Sequence, residues 1–151
     1  PVSAPVPHSP GQLCHNLTWV GQTSHGGQAF AWLDGNAMEH TDIVSQQVLI
    51  PNGNASAALN FWLHIDSKEV SKTRRFDTLT VAVYSTTGRL LRNIANFSNL
   101  DSAAGYQLHT VDVSAWIGQT VVIKFLGKED GSLATSFVLD DVTLYVTPPA
   151  G

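Results

Sequence analysis

The sequence predicts an all-β sandwich on three observations. Short β-branched or aromatic runs recur along the chain, each bounded by Gly, Pro, Asn, Asp or Ser. No segment keeps apolar residues at helical spacing for three turns. The 151 residues suffice for one domain that buries a core without disulfides, and Cys14 is the single cysteine.

The elements follow in chain order. Residues 1–12 are Pro-rich, with Pro1, Pro5, Pro7 and Pro10, and read as a linker or tether. The sandwich domain is assigned to residues 13–147 and a tail to 148–151, where Pro148 and Pro149 stop the last strand. Strands are expected at 28–33, 43–50, 58–65, 79–84, 89–95, 107–113, 120–125 and 136–146. Asp34-Gly35, Asn52-Gly53, Thr87-Gly88, Ile117-Gly118 and Asp130-Gly131 punctuate them, supplying positive-φ positions and Asx turns. With a Pro-rich lead-in and its last strand near the other end, the layout resembles that of a terminal module, and a longer parent chain is expected.

Composition excludes several classes of partner. Eight basic residues against twelve acidic ones give a net charge of -4 with no basic stripe, so no nucleic acid is expected. No apolar run approaches the roughly 18 residues that cross a bilayer, so no membrane insertion is expected either. Abundant Ser, Thr, Asn, Gln and Gly with 13% charged residues suit a secreted, extracellular protein.

The last strand carries an anomaly, Phe137-Val138-Leu139-Asp140-Asp141-Val142. On a strict period of two, Val138, Asp140, Val142 and Leu144 share one face and Phe137, Leu139, Asp141 and Tyr145 the other. One carboxylate should then sit among apolar neighbours, held by backbone N–H groups or by a cation. Two loops offer further acids, Asp66, Glu69 and Asp77 in one and Glu129 and Asp130 in the other. If the loops meet, these acids with Asp140 or Asp141 form a candidate Ca²⁺ site, since calcium takes six to eight oxygens. The competing account is solvated acids, with Asp66 or Glu69 pairing Lys68, Lys72, Arg74 or Arg75.

A second constellation is aromatic. In the strand at 58–65, Phe61, Leu63 and Ile65 form the core face, which sends Asn60, Trp62, His64 and Asp66 to the other side. An indole beside hydrogen-bonding side chains is how a sugar platform is built, the ring meeting the C–H face of a pyranose. Alternatively a loop or tail covers Trp62. Trp32 and Trp116 are expected in the core. The histidines His8, His15, His25, His40, His64 and His109 lack the spacing of a zinc site, and there is no nucleophile elbow or phosphate loop, so no catalytic residues are assigned.

The ordered set Gly26-Gly27-Gln28-Ala29-Phe30-Ala31-Trp32-Leu33-Asp34-Gly35, His40-Thr41-Asp42, Ser45 to Pro51, Leu59 to Asp66, Asp77 to Val81, Val111 to Val121 and Val138 to Val142 resembles jelly-roll accessory domains of the MAM-like and cleaved-adhesin type. It is most similar to those appended to secreted bacterial peptidases of the sedolisin, kumamolisin-like group. The resemblance implies an all-β, two-sheet antiparallel jelly-roll sandwich, a non-catalytic extracellular module, often calcium-stabilised, whose partner is the parent peptidase domain and whose work is attachment, adhesion, substrate targeting or stabilisation. Related modules begin with a Phe-Glu strand that helps hold the ion, whereas Leu13-Cys14-His15-Asn16-Leu17 stands there with no acid. The alternative is a carbohydrate-binding module or lectin that meets polysaccharide, or a cell-surface or protein ligand, through the Trp62 face.

Overall fold

The computed structural model describes the backbone of residues 12–15 and residues 22–151 in full. Nine strands run through the described residues: β1 (Gln12–His15), β2 (Ala29–Asp34), β3 (His40–Leu49), β4 (Ser56–Ser67), β5 (Thr78–Tyr84), β6 (Leu90–Ser98), β7 (Gln107–Asp112), β8 (Thr120–Glu129) and β9 (Thr135–Thr147). They form two antiparallel sheets, ordered β1-β2-β9-β4-β7 and β3-β8-β5-β6. Successive strands mostly switch sheets, and the last strand returns to the middle of the first sheet. This is jelly-roll topology, as expected. All eight expected strands are present, and β1 adds one that includes Gln12, a residue assigned from sequence to the linker. Most of the tether lies outside the described residues.

Alternation builds the core between the sheets. From β4, Leu59, Phe61, Leu63 and Ile65 face inward at 3%, 0%, 2% and 5% exposure, against Leu79, Val81 and Val83 of β5 and Val121, Ile123 and Phe125 of β8. Each such side chain is worth roughly 1.5–3 kcal/mol when fully buried. Phe125 and Phe97 meet the Phe61 ring edge-on, at centroid distances of 5.2 and 6.1 Å. His109 of β7 fills the margin beside them, 5.4 Å from the Phe61 centroid. Burial holds its imidazole below the usual histidine range, with Asp101 opposing. Trp116 joins this core, as expected.

The last strand departs from the expected period of two. Asn60 pairs Thr143 and Trp62 pairs Asp140, so two residues of β9 oppose one of β4 in a β-bulge, with Asp141 at φ 47°. The extra residue reverses the faces. Phe137 and Leu139 point into the core before the bulge, and Leu144 and Val146 pack against it afterwards, leaving Val142 and Tyr145 exposed. Neither Asp140 nor Asp141 is therefore forced among apolar side chains. Asp tolerates the left-handed region better than most residues, which suits it to this position.

Replacing Asp141 by Val is expected to destabilise the fold by about 1–2 kcal/mol more than replacing it by Gly, the cost of a β-branched residue at positive φ. Urea unfolding of both variants checks this, and equal losses would mean that the bulge is not under conformational constraint.

Candidate functional site

The outer face of the five-stranded sheet carries Asn60, Trp62 and His64 on alternate positions of β4 with Asp66, each partly buried. Trp62 is not an open platform. The His25 ring stacks on it at 3.9 Å between centroids and 15° between planes. Tyr106 stands edge-on to His25 at 5.5 Å and lies 5.7 Å from His64. The loop account of Trp62 thus describes the molecule.

Polar contacts strap residues 22–28 over this face. Asp140 Oδ2 accepts the backbone N–H groups of His25 and Gly26 at 2.8 and 3.1 Å, and His25 Nδ1 lies 2.7 Å from Asp141 Oδ2. The Tyr106 hydroxyl donates to the Thr23 carbonyl at 2.6 Å, and Gln22 Nε2 donates to Asp66 Oδ2 at 2.9 Å. A Cβ on Gly26 would lie 2.7 Å from Asp141 Oδ2, so a larger residue there would have to push that carboxylate aside. Phe30, Trp32 and Val138 form a second small core on this side, with Tyr106 packed against it. Trp32 is buried as expected, but outside the main core. Burial, with Asp140 and Asp141 nearby, pushes the Tyr106 hydroxyl well above the usual tyrosine range.

The expected calcium ligands fall in three places. Asp140 and Asp141 clasp the strap, and Asp66 holds Gln22. Only the loop acids meet, with Glu69, Asp77 and Asp130 each offering an oxygen within 4.8 Å of the others. Protein donors already engage them. Asp77 accepts the Asp130 N–H and the Thr135 hydroxyl, Asp130 accepts the Ser132 N–H, and the Ser132 hydroxyl stands between Asp130 Oδ1 at 2.7 Å and Glu69 Oε1 at 3.0 Å, with one hydrogen to donate to either. Glu129 accepts the N–H groups of Asn36 and Ala37 at 2.9 and 2.8 Å. Burial holds Asp77 and Glu129 above the usual carboxylate range, against these hydrogen bonds. Among the described residues, none of Lys68, Lys72, Arg74 and Arg75 pairs with Asp66 or Glu69.

Sequence reasoning missed a buried group at the same end of the sandwich. Asp34 ends β2 at φ 58° and is 0% exposed, and neither carboxylate oxygen has a hydrogen-bond partner. Asp42 of β3, also 0% exposed, accepts the Asp34 N–H through Oδ2 at 2.8 Å, while its Oδ1 lies 2.8 Å from His40 Nε2. Burial pushes the Asp34 carboxyl up to about 8, with Asp42, Glu129 and Asp77 adding to the rise. Asp34-Gly35 reads from sequence as a simple turn, but β2 and β3 lie in different sheets, so this corner crosses the sandwich. Two signals were available: the His40-Thr41-Asp42 alternation at a strand start, and Gly127 inside a strand.

Beside Tyr106, an open hollow of about 440 Å³ is lined by His64, Asp66, Ser67, Ser102 and Gly105 among others. No family model and no curated protein matches the chain. Solved structures do. A family 61 carbohydrate-binding module in complex with β-1,4-galactotriose aligns at a TM-score of 0.54 and 17% identity, over 81% of this chain and 73% of that one. A family 16 carbohydrate-binding module aligns at 0.48 and 19%, over 80% and 79%. A family 28 module specific for non-crystalline cellulose aligns at 0.45 and 9%, over 80% and 76%. At 17% identity, the likeness to the family 61 module supports the jelly-roll fold alone. The expected tie to a secreted peptidase gains no support from these structures.

Two outcomes are expected. Trp62→Ala should lower stability by about 2 kcal/mol, because the indole is half-buried under a stacked ring; an unchanged melting temperature would mean that the strap does not hold His25 there. Asp34→Asn should stabilise the protein in chelator, increasingly with pH. The unfolded chain loses the Asp34 proton near pH 4 and the folded chain keeps it to about pH 8. Wild-type stability therefore falls across that window and levels off above it. Denaturant titrations of both proteins at several pH values check the growing gap.

Proposed function

We propose that this chain is a non-catalytic carbohydrate-binding module of extracellular type, which takes a polysaccharide on the outer face of the five-stranded sheet. The observation that carries the reading is the adjacency of an aromatic cluster, His25, Trp62, Tyr106 and His64, to a polar hollow lined by His64, Asp66, Ser67 and Ser102. A sugar has apolar C–H faces and a rim of hydroxyls, and binds where rings and converging polar groups stand side by side. The family 61 module of the same fold, solved with β-1,4-galactotriose, supports it. Because His25 occupies the face of Trp62, the sugar is expected at the exposed His25 and in the hollow, with Trp62 as the support beneath.

A structural calcium ion is an addition to this reading, not its basis. Glu69, Asp77 and Asp130 would hold it, displacing the Ser132 and Thr135 hydroxyls, and a melting temperature lowered by chelation and insensitive to it in Asp130→Asn would support it.

Affinity electrophoresis and calorimetry against β-1,4-galactan, xylan and amorphous cellulose test the sugar reading. At least one polysaccharide is expected to bind, with His64→Ala and Asp66→Asn each weakening it tenfold or more. Leu49→Ala, at an exposed position on the opposite sheet, should change nothing. No binding by the intact protein to any of the three would overturn the assignment.

A further inference from the structure

Four carboxylates are buried at the end of the sandwich where β2 crosses to β3: Asp34, Asp42 and Asp77 at 0% exposure and Glu129 at 3%. Among the described residues no lysine or arginine lies within ion-pairing distance of them. Asp77 and Glu129 are satisfied by N–H and hydroxyl donors, and Asp42 by the Asp34 N–H and His40. Among the described residues, Asp34 alone has no hydrogen-bond partner on either oxygen. A buried carboxyl group with neither oxygen hydrogen-bonded costs free energy even when it is protonated, and a bound cation that displaces its proton would supply the missing partner.

The local sequence is shaped around that carboxylate. A Cβ on Gly127 would lie 2.5 Å from Asp34 Oδ2, so the glycine in mid-strand of β8 leaves room for the Asp34 carboxyl group. Asp34 itself sits at positive φ, which turns its side chain inward between the sheets, and Asp42 Oδ2 fixes its backbone. His40, Asp42 and Asp34 each offer one ligand atom, all within 4.8 Å of one another. His40 has 20% of its side chain exposed, which opens the cluster to solvent on one side.

We propose that Asp34, His40 and Asp42 bind a divalent first-row transition cation of the zinc or manganese type. The donor set decides the class. One imidazole nitrogen with two carboxylate oxygens suits these metals, whereas calcium takes six to eight oxygens and disfavours nitrogen. On binding, His40 Nε2 exchanges its contact with Asp42 Oδ1 for the metal. Asp42 Oδ2 stays on the Asp34 N–H and orients the ligand. The ion would join β2 of one sheet to β3 of the other. This site is independent of sugar binding and shares no residue with the Glu69, Asp77 and Asp130 group.

The test uses the intact chain stripped by chelation, then titrated with zinc, manganese or calcium chloride, read by calorimetry and thermal melting, with electron paramagnetic resonance for manganese. Wild type should bind one equivalent of zinc or manganese and melt several degrees higher. Asp34→Asn and His40→Gln should each bind at least tenfold more weakly, while Glu69→Gln keeps wild-type affinity. Without metal, Asp34→Asn should melt no lower than wild type, which shows that its loss of binding is not a loss of fold. Absence of stoichiometric binding by wild type would overturn the proposal. So would affinity unchanged in Asp34→Asn and His40→Gln, or calcium alone giving the shift that Asp34→Asn removes.

Discussion

The pairing of β9 with β4, broken by one bulge, is the constraint on which the other features of this molecule depend. β9 runs down the middle of the five-stranded sheet and must keep apolar side chains inward at both ends. A continuous strand could not do so with this sequence, because Phe137 and Leu139 are odd-numbered and Leu144 and Val146 even-numbered. One extra residue at Asp141 resolves the conflict, since side chains alternate strictly between faces and a one-residue insertion exchanges them. It also turns two adjacent carboxylates away from the core, where they become acceptors for another part of the chain.

That second use shapes the outer face of the five-stranded sheet. Asp140 and Asp141 together engage two backbone N–H groups and a histidine ring in the strap at 22–28. The strap brings His25 onto Trp62 and, with Phe30, Trp32, Val138 and Tyr106, converts part of an exposed sheet face into a small core. The aromatic surface left to solvent is displaced towards Tyr106 and the hollow at His64 and Asp66. The sugar-facing chemistry proposed for this module is therefore built jointly by strap and sheet.

The opposite logic governs the acidic end. Buried carboxylates are compensated there by backbone N–H groups of the connecting segments rather than by basic side chains. Glu129 holds the 36–37 segment, and Asp77 holds the start of the loop after β8. Such acceptors order loops that have few apolar contacts of their own, and N–H bonds to a charged oxygen are about twice as strong as neutral ones. Asp34 is the exception in this scheme, the carboxyl group for which the described residues supply space and orientation but no donor.

The sequence by itself determined the fold class, the eight principal strands and the two faces of β4, because alternation and turn chemistry are local properties that act before any tertiary contact forms. The identity of Phe61, Leu63 and Ile65 as core, and the outward placement of Trp62 and His64, were legible for the same reason. What only the tertiary structure decided are relations between segments distant in the chain. Asp140 lies 115 residues from the His25 N–H it accepts, and Glu129 lies 93 residues from Asn36. No periodicity carries such pairings. The register shift at Asp141 was equally hidden, because an Asp-Asp step is compatible with a strand and with a bulge, and the choice between them rests on which side chains the opposite sheet needs to meet. The Asp34, His40 and Asp42 group likewise exists only because β2 and β3 cross between sheets at a corner that reads locally as a turn.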